Sequence, residues 1–158
     1  MYPCADVSTY CPIGTGAPLS VQKGYYSVQP ENEFPPFPGA ATEAPCEPGY
    51  YCPYDVVQDH STGLRLECPG GRYGDRFSEL LPSCTGECEE RYYCPSGSTT
   101  PQQFPCGEDA FCPAGSSEAS SIEPGYYVPD GLVHAAPQQY ICPPGSYCIN
   151  GTPCLLVR

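Results

Sequence analysis

The chain has 158 residues, with 17 Gly, 22 Pro, 13 Cys and no Trp, and Leu, Ile, Val and Phe together contribute only 25. That is too little apolar side chain for an ordinary packed core, and without its cysteines such a composition predicts disorder. The formal charge of −12, from 6 Lys plus Arg against 18 Asp plus Glu, argues against nucleic acid and anionic lipid as partners, because both would be repelled.

In chain order the first element is a cysteine loop, Cys4 to Cys11, running into CPIG. A cysteine-free stretch then leads to Gly24-Tyr25-Tyr26 and a connector, Glu33-Phe34-Pro35-Pro36-Phe37-Pro38, whose prolines favour extended polyproline II geometry. Next come CEPGYYC (Cys46 to Cys52), CPGGRYG with a spacer from Cys68 to Cys84, and CEERYYC (Cys88 to Cys94) followed by Pro-x-Gly. Cys106 to Cys112 runs into CPAG, Gly125-Tyr126-Tyr127 follows, and CPPGSYC spans Cys142 to Cys148. Pro sets φ and Gly permits φ > 0, so the Pro-x-Gly steps are turn signals. The Tyr-Tyr steps suit short strand pairs, in which aromatic cross-strand neighbours stabilise small ladders. Helical periodicity is absent.

The chain repeats itself. Cys4 and Cys11 correspond to Cys106 and Cys112, Cys46 and Cys52 recur 96 positions later as Cys142 and Cys148, and Cys68 aligns with Cys154. One period of roughly 100 residues is followed by about half of a second, which is the pattern of an array whose units contact their neighbours. The expected domains are therefore 1–45, a cysteine loop with its Gly-Tyr-Tyr stretch and connector; 46–105, completing the first period; and 106–158, the second. Both ends fall inside a repeat, as if the chain were a window on a longer protein. No leader peptide is visible near Met1, and no stretch is long and apolar enough to span a bilayer.

The Cys-x5-Cys spacing holds while the segments between such loops vary in length. Nearest-neighbour bonding follows as the expectation: Cys4–Cys11, Cys46–Cys52, Cys68–Cys84, Cys88–Cys94, Cys106–Cys112 and Cys142–Cys148. The Cys84-x3-Cys88 step leaves an exchange of partners among Cys68, Cys84, Cys88 and Cys94 open. Cys154 stands where Cys68 stands, so its partner is expected downstream of Arg158, leaving it unpaired here. A bridge closing a loop of this size contributes roughly 2–3 kcal/mol on the chain-entropy model. Such frameworks persist in oxidising compartments, so an extracellular location is expected: secreted, at the cell surface, or on a ciliary or flagellar exterior.

The run CPGGRYG…SCTGECEERYYCPSGST resembles the ephrin-receptor-like and tumour-necrosis-factor-receptor-like cysteine-rich repeats, of the kind tandemly repeated in large protist and algal extracellular proteins. The resemblance extends over nearly the whole chain through the Gly-Tyr-Tyr stretches and CPPGSYC. It implies scaffolding, adhesion or filament building, with flagellar hairs or wall and matrix components as settings.

The chemical alternatives are weak. Zinc sites need clustered Cys and His ligands, whereas His60 and His134 are isolated and no second close cysteine pair accompanies Cys84 and Cys88. Nucleophilic catalysis needs a base beside an activated Ser or Cys, and no such constellation is present. No catalytic residue, metal site or cofactor is expected. The scattered carboxylates support no more than diffuse calcium association, and the 14 tyrosines suit covering cystines and replacing the missing aliphatic core. Asn150-Gly151-Thr152 is a glycosylation sequon, with Pro153 lowering its occupancy. The expected fold is small and disulfide-rich: elongated tandem cysteine-rich modules, mostly coil and turns with short β-hairpins and little or no helix. The expected function is a structural segment of a large extracellular repeat protein, forming a stalk, filament or surface appendage with other copies or neighbouring segments. The alternative is a ligand- or adhesion-binding module of a receptor.

Overall fold

The computed structural model describes residues 4, 6–29, 39–54, 63–107, 110–129, 138–149 and 152–153. Among them there is no helix; the strands form antiparallel two-stranded hairpins, and an isolated parallel bridge joins Tyr26 and Gly63. The chain divides into two compact units, one comprising Met1–Cys68 with Gly74–Thr85, the other Pro69–Tyr73 with Gly86–Arg158.

The first unit holds three hairpins. β1 (Thr9–Tyr10) pairs with β2 (Leu19–Ser20), β3 (Tyr25–Val28) with β4 (Thr42–Pro45), and β5 (Tyr50–Tyr51) with β6 (Leu66–Glu67). In the second unit β7 (Arg72–Tyr73) pairs with β8 (Gly86–Glu87), β9 (Tyr92–Tyr93) with β10 (Phe104–Pro105), and β11 (Ala110–Phe111) with β12 (Ser120–Ser121). β13 (Tyr126–Tyr127) with β14 (Tyr140–Ile141) and β15 (Cys148–Ile149) with β16 (Thr152–Pro153) complete it.

These hairpins belong to one recurring module. Each module opens with a residue at Cys4, Val21, Cys46, Cys68, Cys88, Cys106, Ile122 or Cys142, and the second strand of the preceding hairpin ends immediately before the next opener. From Val21 onward the typical module is an opener, two turn residues, a residue with positive φ, two strand residues and a closing position six after the opener. The module at Cys4 is one residue longer, and in the last one the first strand begins at the closing Cys148. The same turn recurs in six of these modules. The amide of Tyr25 donates to the carbonyl of Gln22, Tyr50 to Glu47, Arg72 to Pro69, Tyr92 to Glu89, Tyr126 to Glu123 and Ser146 to Pro143, at 3.0–3.2 Å. A third turn residue with φ > 0 is the type II requirement, and Gly24, Gly49, Gly71, Gly125 and Gly145 meet it with φ of 81–89°. The cysteine loops, the CPGGRYG segment and the Gly-Tyr-Tyr stretches are thus variants of one module.

Modules are tied to their successors through that turn residue. In the first unit Gly49 donates its N–H to the carbonyl of Gly74 (2.7 Å) and accepts at its carbonyl from the Cys68 amide (2.8 Å). In the second unit Arg91 donates to Cys112 (2.8 Å) and accepts from Cys106 (2.9 Å). The correspondence extends further. Cys46 N–H to Gly24, Ser78 N–H to Cys46 and Cys52 N–H to Glu79 in the first unit match Cys88 N–H to Gly71, Gly115 N–H to Cys88 and Cys94 N–H to Ser116 in the second. Even the left-handed Ser78 (φ 60°) occupies the place of Gly115 (φ 78°). Both units therefore contain the same three-module arrangement, with backbone bonds carrying the register and hairpin loops absorbing the differences in length.

Arg91 is the exception in the turn series. It holds φ of 74° where the equivalent described turn residues are glycine, a conformation costing an L-residue roughly 1–2 kcal/mol. Replacing Arg91 with Gly should stabilise the fold by roughly 0.5–1 kcal/mol, since glycine's greater unfolded-state entropy offsets part of the gain. Urea denaturation of the oxidised protein measures it, and a loss of stability would refute the strain argument.

The core is sulfur. Cys46, Cys52, Cys68, Cys88, Cys94 and Cys112 are its largest fully buried side chains. Val21, 2% exposed, takes the place of a cystine opener, so an aliphatic side chain can fill the same position.

Candidate functional site

The structure pairs Cys4–Cys11, Cys46–Cys52, Cys68–Cys84, Cys88–Cys94, Cys106–Cys112 and Cys142–Cys148, with Cα–Cα distances of 5.8–6.1 Å. The exchange left open around Cys84 and Cys88 is thereby resolved into two local bonds. The long Cys68–Cys84 link has a steric logic. Gly74 sits six residues after Cys68, where other modules carry their closing cysteine, and a Cβ there would lie 2.8 Å from the Cys68 sulfur. Cys84 supplies the sulfur instead, from a loop that returns to the same place. Asn150, Cys154, His60, His134 and the 33–38 connector lie outside the described residues.

The densest polar cluster is in the first unit, on the β5–β6 hairpin. The Arg65 guanidinium lies 4.5 Å from the Tyr50 ring centroid and 5.0 Å from that of Tyr26, within cation–π range. It pairs with Glu47 at 3.3 Å, and the Tyr26 hydroxyl donates to Glu47 at 3.0 Å. Burial raises the Tyr26 pKa, and its hydrogen bond to Glu47 raises it further. For Glu47, burial pushes upward, but its own backbone amide, the Tyr26 hydroxyl and Arg65 outweigh it and hold the carboxyl below its ordinary value. Burial also lowers Arg65, and the charges of Tyr26 and Glu47 more than reverse it.

Position within the module shows what this cluster does. Glu47 is the first residue after an opener, and Arg65 lies three before the next. The same two positions meet elsewhere: the Gln22 amide donates to Glu43 at 2.7 Å and the Glu123 amide to Gln139 at 2.9 Å. This is a latch closing the base of a hairpin. Its members satisfy one another, which suits structure better than turnover. Since a depressed carboxylate pKa contributes stability above the unfolded pKa and loses it as pH falls through the folded one, Glu47→Gln should flatten the acid limb of the stability curve. The pair is more than a third exposed, so the effect should stay below about 1 kcal/mol. Denaturant midpoints measured from neutral pH down through the carboxylate range check it, and identical acid limbs for Glu47→Gln and wild type would exclude the latch.

Cross-strand pairs add further side-chain contacts. Tyr93 stacks on Phe104 at 5.5 Å, Tyr127 meets Tyr140 at 6.2 Å, and Arg72 pairs with Glu87 at 3.2 Å across β7–β8. Among the described residues no group of three or more His, Cys, Asp and Glu side chains is arranged to hold a metal ion, and no helix is long and apolar enough to cross a membrane. No protein-family model matches the chain, and no curated protein matches it.

Sequence reasoning missed the unifying module because it followed cysteines. Val21 and Ile122 open modules without sulfur, and Gly74 closes one. The signal that finds them is the turn residue followed by two strand residues, set against a strand that ends just before the next opener.

Proposed function

We propose that this chain is a structural, non-catalytic segment of a large extracellular repeat protein that forms a stalk, filament or surface appendage. The observation carrying this reading is the turn residue bonded in both directions to the following module, at Gly49, at Gly71 and at Arg91. Those bonds use backbone only, so the arrangement tolerates wide variation in side chains and hairpin length while adding one module after another. Six cystines in place of an aliphatic core support an oxidising, extracellular setting. The acidic surface keeps such a segment soluble; its partners in this reading are neighbouring segments or other copies, with glycans as additions. Nucleic acid and membrane spanning play no part in the reading.

Immunogold electron microscopy on unpermeabilised source cells, with antibodies to this chain, tests it. The expected result is labelling at regular intervals along an external fibre or coat. Label confined to the cell interior would overturn it.

A second reading, a receptor-like binding module, draws on Phe77 and Leu81, both 64% exposed in the loop closed by Cys68 and Cys84. Two exposed large apolar side chains in one loop are what a receptor-like reading would use to recognise a partner. Sparse labelling over the plasma membrane, one particle at a time, would favour it.

A further inference from the structure

We propose that Tyr127 and Tyr140 form a site for an oxidative dityrosine cross-link, a carbon–carbon bond between their rings made by a peroxidase. The step needs only an oxidant, so it stands or falls apart from the filament reading.

The module opening at Ile122 has neither a cystine nor a long ladder. Its opener and its closing position, Ile122 and Val128, carry no sulfur, and β13 and β14 are two residues each. The other described module without a cystine, opening at Val21, has instead the four-residue ladder of β3 with β4 and the latch on Tyr26.

Register singles out one pair. In the hairpins from β1–β2 to β13–β14, the residue just before the closing position faces the residue two before the next opener. That second residue is Leu19, Ala44, Leu66, Gly86, Phe104 or Ser120 in the first six, and in the Ile122 module it is Tyr140, directly opposite Tyr127. Only there do two phenols meet. Cross-strand neighbours hold their Cβ atoms about 4.5–5.5 Å apart. The two ring centroids lie 6.2 Å apart with planes tilted by 46°. Tyr140 is 38% exposed, so its ring can turn about its two side-chain torsions and is open to an oxidant.

The chemistry balances without any group from the protein beyond the two rings. A haem peroxidase takes one electron and one proton from each phenol and reduces one hydrogen peroxide to two waters. The phenoxyl radicals couple through ring carbons ortho to the oxygens, and the two displaced ring hydrogens return to those oxygens. The product lacks two hydrogens and joins strands that no disulfide joins. Because the backbone already holds the rings side by side, coupling within the hairpin outruns coupling between chains in dilute protein.

Dilute disulfide-bonded protein is treated with a haem peroxidase and hydrogen peroxide, comparing wild type, Tyr140→Phe and Tyr147→Phe. Dityrosine fluorescence and peptide mapping after cystine reduction and cleavage at Asp130, the one acidic residue between the two tyrosines, read out the bond. Stacking of Tyr93 on Phe104 shows that phenylalanine fits the partner position, so Tyr140→Phe removes a phenol and keeps the packing. Wild type should yield a monomeric product, two hydrogens lighter, with the peptides of Tyr127 and Tyr140 joined. Intrachain dityrosine should fall roughly tenfold or more in Tyr140→Phe. It should be unchanged in Tyr147→Phe, although the Tyr147 ring is the more exposed at 59%. A wild type with no joined peptide would overturn the proposal, as would dityrosine formed only between chains or an undiminished intrachain yield in Tyr140→Phe.

Discussion

Replacing Cys88 and Cys94 together by alanine is expected to cost roughly 2–5 kcal/mol and to leave the second unit unable to hold its native register. Both residues are buried, at 1% and 0% exposure, so the change removes core volume as well as a covalent restraint. The loop they close is also a junction. The Cys94 carbonyl accepts from Gly71, the Cys88 carbonyl from Gly115, the Cys94 amide donates to Ser116, and Arg91 between them donates to Cys112. Loosening this loop therefore weakens the links to the modules opening at Cys68 and Cys106 together. The double alanine variant avoids a free thiol that could reshuffle its neighbours. Denaturant titration gives the free energy, and hydrogen exchange at the Gly71, Arg91, Cys94 and Gly115 amides shows how far the loss spreads. A cost below about 1 kcal/mol would contradict the proposal that cystines serve as the core. Cys68→Ala with Cys84→Ala opens a loop with a separation of 16 rather than 6, and should cost roughly 1 kcal/mol more on the chain-entropy model.

Gly71→Ala should be nearly as damaging, and Gly125→Ala should not be. The two glycines share the turn and the conformation, with φ of 85° and 89°, so both substitutions incur the roughly 1–2 kcal/mol of a left-handed L-residue. Their surroundings differ. A Cβ on Gly71 would lie 2.2 Å from the Gly115 carbonyl oxygen, while one on Gly125 meets nothing within 4 Å. The atom in the way at Gly71 is backbone and cannot rotate aside. Displacing it strains the bonds that Gly115 and Ser116 make to Cys88 and Cys94, adding roughly 1–3 kcal/mol. The expected totals are roughly 2–5 kcal/mol for Gly71→Ala and 1–2 kcal/mol for Gly125→Ala. Equal costs, from paired urea melts of the oxidised variants, would show that the close approach of module turns is not what stabilises the second unit.

Much of this architecture was legible in the residues. Too few aliphatics and many cysteines required a cross-linked fold, the constant Cys-x5-Cys spacing pointed to local bonds, and Tyr-Tyr beside glycine indicated short strand pairs. The exchange around Cys84 and Cys88 was not legible, because spacing alone does not say which sulfur fills a position. The space beside Cys68 Sγ where Gly74 lacks a side chain makes the answer physical. The latch of Glu47, Arg65 and Tyr26 was also invisible, since its members are brought together from 18 to 39 residues apart.

By itself, the sequence determined the kind of fold, because composition and cysteine spacing act locally: a loop of six residues closes on its nearest thiol, and a turn forms where glycine permits it. Only the tertiary structure decided that cysteine, valine and isoleucine all serve as openers of one module, and that the turn residues at 49, 71 and 91 belong equally to the module after them. Those facts depend on backbone groups meeting across 17 to 25 residues of variable chain, as Cys88 meets Gly71 and Gly49 meets Gly74. Amides and carbonyls are the same in every residue, so no letter of the sequence records which of them will pair.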